Sequence, residues 1–151
     1  MNYCDMIWDK CRPSSSSRNK LQTIQNRCAR TILGSRPGTS APPLLRQLGW
    51  ITLEDKRKLH KCVLMHRLLH GNGPKVLLDR LSRYINTNEI PTRSATSNNL
   101  VIVARNTNYL ANSYFCDTVR IWNGLPTTLR QIESSTTFKE NLQKHLLNLG
   151  C

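Results

Sequence analysis

Apolar residues recur at three- and four-residue steps in several stretches of this chain, the spacing of one face of an α-helix. The first such stretch predicts a helix from Arg18 to Leu33, which can end at Gly34 as a C-cap. Arg27 and Arg30 flank its apolar stripe. We therefore expect one face to pack while its borders stay cationic. The stripe consists of Leu21, Ile24, Cys28 and Ile32.

Two further helices follow. A short one is predicted from Pro43 to Leu48, with proline in its first turn as helices tolerate. A longer one starts at Thr52, whose hydroxyl can cap the helix while Asp55 completes a pattern like a capping box, and it ends at Gly71. One side of the longer helix carries Leu59, Cys62, Val63, His66 and Leu69.

The second half of the chain mixes helices with extended sequence. A helix is predicted from Pro74 to Ile85, and residues 86–99 predict a long polar loop. Leu100 to Ala104 is the one convincing strand, which must pair with Asn106 to Leu110 or with a strand on another domain.

Two helices close the chain. Phe115 to Trp122 predicts a helix that stops at the turn Asn123 to Pro126. The last helix is expected from Thr136 to Leu149, with a capping box from Thr137 to Glu140. Its apolar face carries Phe138, Leu142, His145, Leu146 and Leu149.

These elements predict a mainly α fold with one minor β-strand or hairpin near residues 100–110. A chain of 151 residues can bury a core of its own, so we expect one domain overall. Its predicted parts are an N-terminal segment with a Ser-rich loop (1–17), a basic helical region (18–85), a polar loop (86–99), and a strand with C-terminal helices (100–151).

Charge changes this picture most. The chain has 22 Lys plus Arg against 9 Asp plus Glu, a net charge of +13 that is typical of partners of polyanions. RNA or DNA is the leading partner, and a basic surface that only maintains solubility is the alternative. A membrane partner is not expected, because the sequence has no long apolar run and no signal peptide. We expect an intracellular protein, in the nucleus or the cytoplasm.

The excess positive charge is concentrated between Lys10 and Lys61, where Glu54 and Asp55 are the only acidic residues. Guanidinium and ammonium groups bind phosphate oxygens, and each neutralised phosphate releases counterions. Solvation of a helix surface is the alternative role for each residue. The predicted phosphate contacts are Arg27, Arg30, Lys56, Arg57, Lys58 and Lys61. Tryptophans could stack on bases, but core anchoring is favoured for Trp8, Trp50 and Trp122.

Other chemistry finds little support. Cys62, His66 and His70 recur every four residues and could face a zinc ion, but they share a stripe with core leucines and packing is favoured. No nucleophile elbow occurs, and the few carboxylates stand mostly near helix starts. We predict no metal, no cofactor and no catalytic activity. The six cysteines lack short paired spacings and are expected to be free thiols.

Four sequence blocks resemble, in the same order, the C-terminal region of reverse transcriptases from non-LTR retrotransposons of the jockey type. They are YCDMIW at Tyr3 to Trp8, LQTIQNRCARTILG at Leu21 to Gly34, PLLRQLGWITLEDKR at Pro43 to Arg57, and the pairing of IWNGLP with TFKENLQKHL from Ile121 to Leu146. PTRS at Pro91 to Ser94 is similar to the family's loop before the hydrophobic strand. The resemblance covers nearly the whole chain.

The resemblance implies the thumb-and-tail region that follows the palm of an RNA-directed DNA polymerase, a region without the catalytic carboxylates. Tyr3, Cys4 and Asp5 imitate the family's palm motif, but Met6 stands at its second aspartate, so no catalytic residue is carried over. The chain would be a non-catalytic fragment that lies near template or primer. The alternative is a helical interaction or scaffold module that docks on the missing polymerase palm domain.

Overall fold

The computed structural model describes residues 15–81, 100–101 and 114–149, and this part of the chain is mostly helical, as predicted. No strand occurs in the described ranges. Most of the predicted strand and its predicted partner lies outside them, and the two described residues there, Leu100 and Val101, are not in a strand. The helices are α1 (Ser15–Ile32), α2 (Ala41–Gln47), α3 (Leu53–Leu69), α4 (Lys75–Leu81), α5 (Tyr114–Asn123), α6 (Thr127–Arg130) and α7 (Ser135–Leu149).

The main core surrounds α3, which packs against α4, α5 and α7. A helix with neighbours on several sides must bury apolar residues on more than one face. Accordingly Met65 and Leu68 are buried in addition to most of the predicted stripe of α3, of which Val63 and Leu69 are partly buried. The most deeply buried members of this core are Cys62, Met65, Leu68, Val119, Trp122, Phe138 and Leu142.

A second, smaller cluster joins α1 to α2. Ala29 of α1 is fully buried against Leu44 and Leu45 of α2. An alanine lets two helices approach closely, and this approach fixes which side of α1 is covered. The predicted burial of the α1 stripe is therefore wrong, since that stripe lies on another side of the helix. Its four residues, Leu21, Ile24, Cys28 and Ile32, are exposed to solvent.

The ends of α1 follow local chemistry. Gly34 has a positive φ of 60°, a conformation that glycine adopts at low cost. The amide of Ser35 donates to the Arg30 carbonyl at 2.9 Å, and that of Gly34 to the Thr31 carbonyl at 3.3 Å. This is a Schellman motif, and the predicted C-cap is confirmed. The start differs from the prediction, because Ser15–Ser17, assigned to a loop, are already helical.

The N-terminus of α3 is capped as predicted. Thr52 Oγ1 accepts a hydrogen bond from the Asp55 amide at 3.1 Å, and the same hydroxyl donates to the Asp55 carboxylate at 2.7 Å. The capping box predicted for α7 is wrong, because the helix begins at Ser135 and Thr137 lies inside its first turn. The first turn of α7 is closed instead by the Phe138 amide, which donates to the Ser134 carbonyl at 2.9 Å.

Leu100 is anchored on the end of α5. Its amide donates to Asn123 Oδ1 at 2.9 Å, and its carbonyl accepts from Asn123 Nδ2 at 2.8 Å. The side-chain amide thus satisfies both backbone groups, as a neighbouring strand would. The predicted loop at 86–99, the N-terminal segment up to residue 14 and the end of the fourth predicted helix lie outside the described residues.

Candidate nucleic-acid interface

The basic helix α1 lies beside the start of α3. Gln25 Nε2 donates to the Ile51 carbonyl at 3.0 Å, and Gln22 Oε1 accepts from the Leu53 amide at 3.0 Å. These bonds satisfy one of the free amides at the N-terminus of α3 and fix α1 against the segment that precedes it. The two sequence regions that carry the predicted phosphate contacts are therefore neighbours in space.

Arg27 and Lys56 are the most accessible of the six predicted contacts. Both side chains are exposed, and no ion pair within the described residues involves either of them. They do not point in a common direction, however. At 100° per residue Arg27 lies about 200° around α1 from Gln25, on the side away from α3. Arg57, next to Lys56, is half-buried and takes part in an interaction of its own.

Arg30 and Lys58 already have local partners. Arg30 is half-buried, and its Nε donates to the Thr39 carbonyl at 2.9 Å, which ties the loop after α1 to the helix. Lys58 Nζ lies 3.1 Å from both Glu54 Oε1 and Asp55 Oδ1. Partial burial lowers the pKa of Lys58, but hydrogen bonds and charge from the two carboxylates outweigh this and raise it. Its charge is thus largely balanced where it stands.

Lys61 lies inside the protein. Its side chain is 4% exposed, and Nζ is 2.9 Å from Oδ2 of Asp117, which is 8% exposed. The carbonyl of Lys61 also accepts a hydrogen bond from the Tyr114 hydroxyl at 3.1 Å. An ammonium group in this position cannot reach a phosphate without losing its partner. Lys61 therefore joins α3 to α5, and its burial argues against the predicted phosphate contact.

The described tryptophans differ in role. Trp122 is 1% exposed in the main core, in agreement with the prediction, whereas Trp50 is 36% exposed between α2 and α3. Trp50 lines a shallow cleft together with Arg46 and with Leu146 and Leu147 of α7. Core anchoring, which the sequence favoured over base stacking for Trp50, is thus wrong.

Two of the residues considered as zinc ligands, Cys62 and His66, lie in the core. Cys62 is 1% exposed, and burial, with the nearby charge of Asp117, raises the pKa of its thiol to about 12 although Lys61 acts against this. Such a cysteine stays protonated, whereas zinc binds the thiolate. His66 is also 1% exposed, and its Nε2 donates to the Ile132 carbonyl at 2.6 Å. No cluster of three metal-ligating side chains occurs among the described residues.

His66 lies inside a stack of rings. Its ring centroid lies 4.4 Å from that of Phe138 and 4.2 Å from that of His70. Its Nδ1 is buried without a hydrogen-bond partner. Burial lowers the pKa of His66, more than the hydrogen bond to Ile132 raises it, because a second proton on Nδ1 would meet no acceptor.

Comparison with protein-family models, curated proteins and solved structures found no significant match. The described helices include none that is long and apolar enough to cross a membrane.

Proposed function

We propose that this chain is a non-catalytic C-terminal piece of a non-LTR retrotransposon reverse transcriptase and that its own activity is binding of an RNA or DNA backbone. The four family-like sequence blocks support the parentage. The observation that carries the binding activity is the run of basic residues in α1 and α2, since no acidic residue occurs from Ser15 to Leu53. A cationic surface of this extent attracts a polyanion.

The phosphate contacts of this proposal are drawn from the accessible cations. Arg27 and Lys56 are the primary contacts, because their charges are exposed and are not balanced by a described carboxylate. Arg30 and Arg57 are secondary contacts, since both are half-buried. Lys58 and Lys61 are omitted because carboxylates hold them. Arg27 faces away from α3, so a bound strand would have to follow the surface of α1 rather than enter one pocket.

Trp50 favours single-stranded RNA or DNA as the ligand of this surface. Its exposed ring lies two residues before the cap of α3 and six residues before Lys56. An unpaired base can stack on such a ring, and base stacking on aromatic residues contributes about 1–3 kcal/mol per base. A duplex keeps its bases stacked on each other and cannot use this contact. We therefore expect single-stranded RNA or DNA to bind more tightly than duplex of equal length.

The salt dependence of RNA binding tests the phosphate contacts. Each lost phosphate contact should lower the slope of log affinity against log salt concentration by about 0.7 for a single strand. Lys56→Ala should do this. Lys58→Ala is the matched control, because it removes the same charge two residues along the same helix from a site already held by Glu54 and Asp55. Equal effects of the two substitutions would indicate that net charge alone attracts the RNA, and would refute a defined site.

Tryptophan fluorescence tests the stacking contact. Single-stranded RNA should quench the exposed Trp50, whereas Trp122 is shielded in the core. In Trp50→Leu, single-stranded RNA should no longer quench the tryptophan fluorescence of the protein. This substitution should also weaken single-strand binding more than duplex binding. Quenching that persists in this variant would place the contact elsewhere.

The parentage has a separate test, which is sequencing of the native transcript upstream of Met1. An in-frame polymerase palm there would support the proposal, and a transcript that begins just before Met1 would point to a stand-alone basic protein. A helical interaction module is a second candidate function, favoured by the exposed apolar stripe of α1.

A further inference from the structure

Helix α1 carries an apolar stripe that nothing in the described part of the chain covers. Leu21, Ile24 and Ile32 are 52%, 56% and 58% exposed, and Cys28 is also exposed. Their spacing of three, four and four residues places them in one row along the helix. Single exposed apolar residues are ordinary, but a continuous row of them indicates an interaction surface.

This stripe is distinct from the face that packs inside the molecule. The packed face is marked by Ala29, which is fully buried, and by Gln22 and Gln25, which bond to the segment before α3. The mean direction of the stripe lies roughly 90° around the helix from the mean direction of the packed face, at 100° per residue. Helix α1 therefore presents one face to its own protein and a second apolar face to solvent.

The charges beside the stripe restrict what can cover it. Lys20 and Arg27 are exposed along its outer border, and α1 contains no acidic residue. A second copy of this chain that packed stripe against stripe in the antiparallel sense would bring Arg27 close to its own counterpart. In either sense, α1 of the second copy has no carboxylate to pair with these cations. Like charges in such a contact are unfavourable, whereas carboxylates on the partner would pair with them.

We infer that the stripe of α1 is a docking surface for an amphipathic helix of a partner protein, one whose apolar ridge is flanked by Asp and Glu. Two helices packed side by side would bury Leu21, Ile24, Cys28 and Ile32 against that ridge and place the partner's carboxylates next to Lys20 and Arg27. This inference rests on the second candidate function given above. It shares Arg27 with the proposed phosphate contacts, but its apolar residues are not among them.

Two synthetic helical peptides, each as long as α1, test the inference. Both carry the same leucine ridge, one with glutamates along its borders and the other with lysines. We expect the full chain to bind the glutamate peptide, measured by fluorescence anisotropy, and not the lysine peptide. Ile24→Gln and Ile32→Gln should each weaken binding by about tenfold, as expected from the apolar area that each side chain contributes.

Val76→Gln is the matched control. Val76 is 66% exposed on α4, away from the stripe, so this substitution should leave the affinity unchanged. All three substituted side chains are exposed, and the variants should fold. Equal binding of both peptides, or binding of neither, would overturn the inference. Self-association that Ile24→Gln abolishes would overturn it in favour of a second copy.

The peptide assay and the RNA assay distinguish failure of one proposal from failure of the other. Lys56→Ala should not change peptide binding, and Ile24→Gln should not change the salt slope of RNA binding. Loss of RNA binding alone would refute the proposed nucleic-acid function and leave the docking surface in place, and the reverse result would refute only the docking surface.

Discussion

Replacement of Lys61 by methionine should destabilise the protein by about 3–5 kcal/mol, although methionine fills a similar space. Lys61 Nζ lies 2.9 Å from Asp117 Oδ2, and the two side chains are 4% and 8% exposed. The substitution leaves the Asp117 carboxylate buried next to a thioether that cannot balance its charge. The ion pair joins α3 to α5, so the cost should fall on global unfolding.

The magnitude follows from two opposing effects. At 2.9 Å and an effective dielectric constant of about 20, the attraction between Lys61 and Asp117 is about 6 kcal/mol. Removal of each ion from water costs several kcal/mol, so the intact pair contributes little net stability. Loss of one partner removes the attraction and keeps the desolvation cost of the other. The double variant K61M/D117L removes both and should be close to the wild type in stability.

Urea denaturation followed by circular dichroism measures these changes. Lys58→Met is the matched control, because Lys58 is 38% exposed between Glu54 and Asp55 and should cost less than about 1 kcal/mol. The reasoning would be refuted if Lys61→Met and Lys58→Met had equally small effects. Lys61 would then be accessible, and it would return to the set of phosphate contacts.

Three further predictions concern stability. The unfolding free energy should fall as pH drops below about 6.5, because His66 gains a proton in the unfolded state that the folded state resists. The fall should be at most about 1.4 kcal/mol per pH unit. In denaturation curves, His66→Phe should remove this part of the pH dependence. Thr52→Ala should cost about 1 kcal/mol by loss of the N-cap, and Thr52→Ser should restore most of it in the same assay. Gly71→Ala should lower thermal stability by about 1 kcal/mol, because φ is +73° there. Gly124→Ala, at a residue without positive φ, should cost less.

The sequence correctly indicated features that depend on nearby residues. The ends of α1 and α3 follow from Gly34 and Thr52, whose hydrogen bonds reach no more than a few residues along the chain. At the start of α7 the sequence predicted a helix from Thr136 with Thr137 in a capping box, whereas the helix begins at Ser135. Helix existence was thus better determined than helix boundaries.

The candidate site was predicted less well, because charge type is visible in a sequence but the surroundings of a charge are not. Six cations looked equivalent along the chain. Asp117, which is 56 positions away, removes Lys61 from the surface, and a neighbouring turn of the same helix holds Lys58. The exposure of Trp50 likewise depends on how α2 and α7 meet.

By itself the sequence determined that this protein is basic, mainly helical and built from amphipathic segments with defined caps. Tertiary structure alone decided which face of α1 is covered. Periodicity predicted burial of the α1 stripe, yet Ala29 packs against α2 and the stripe faces solvent. The physical reason is that an apolar row lowers the free energy only where another surface meets it, and the position of that surface depends on contacts between residues far apart in the chain.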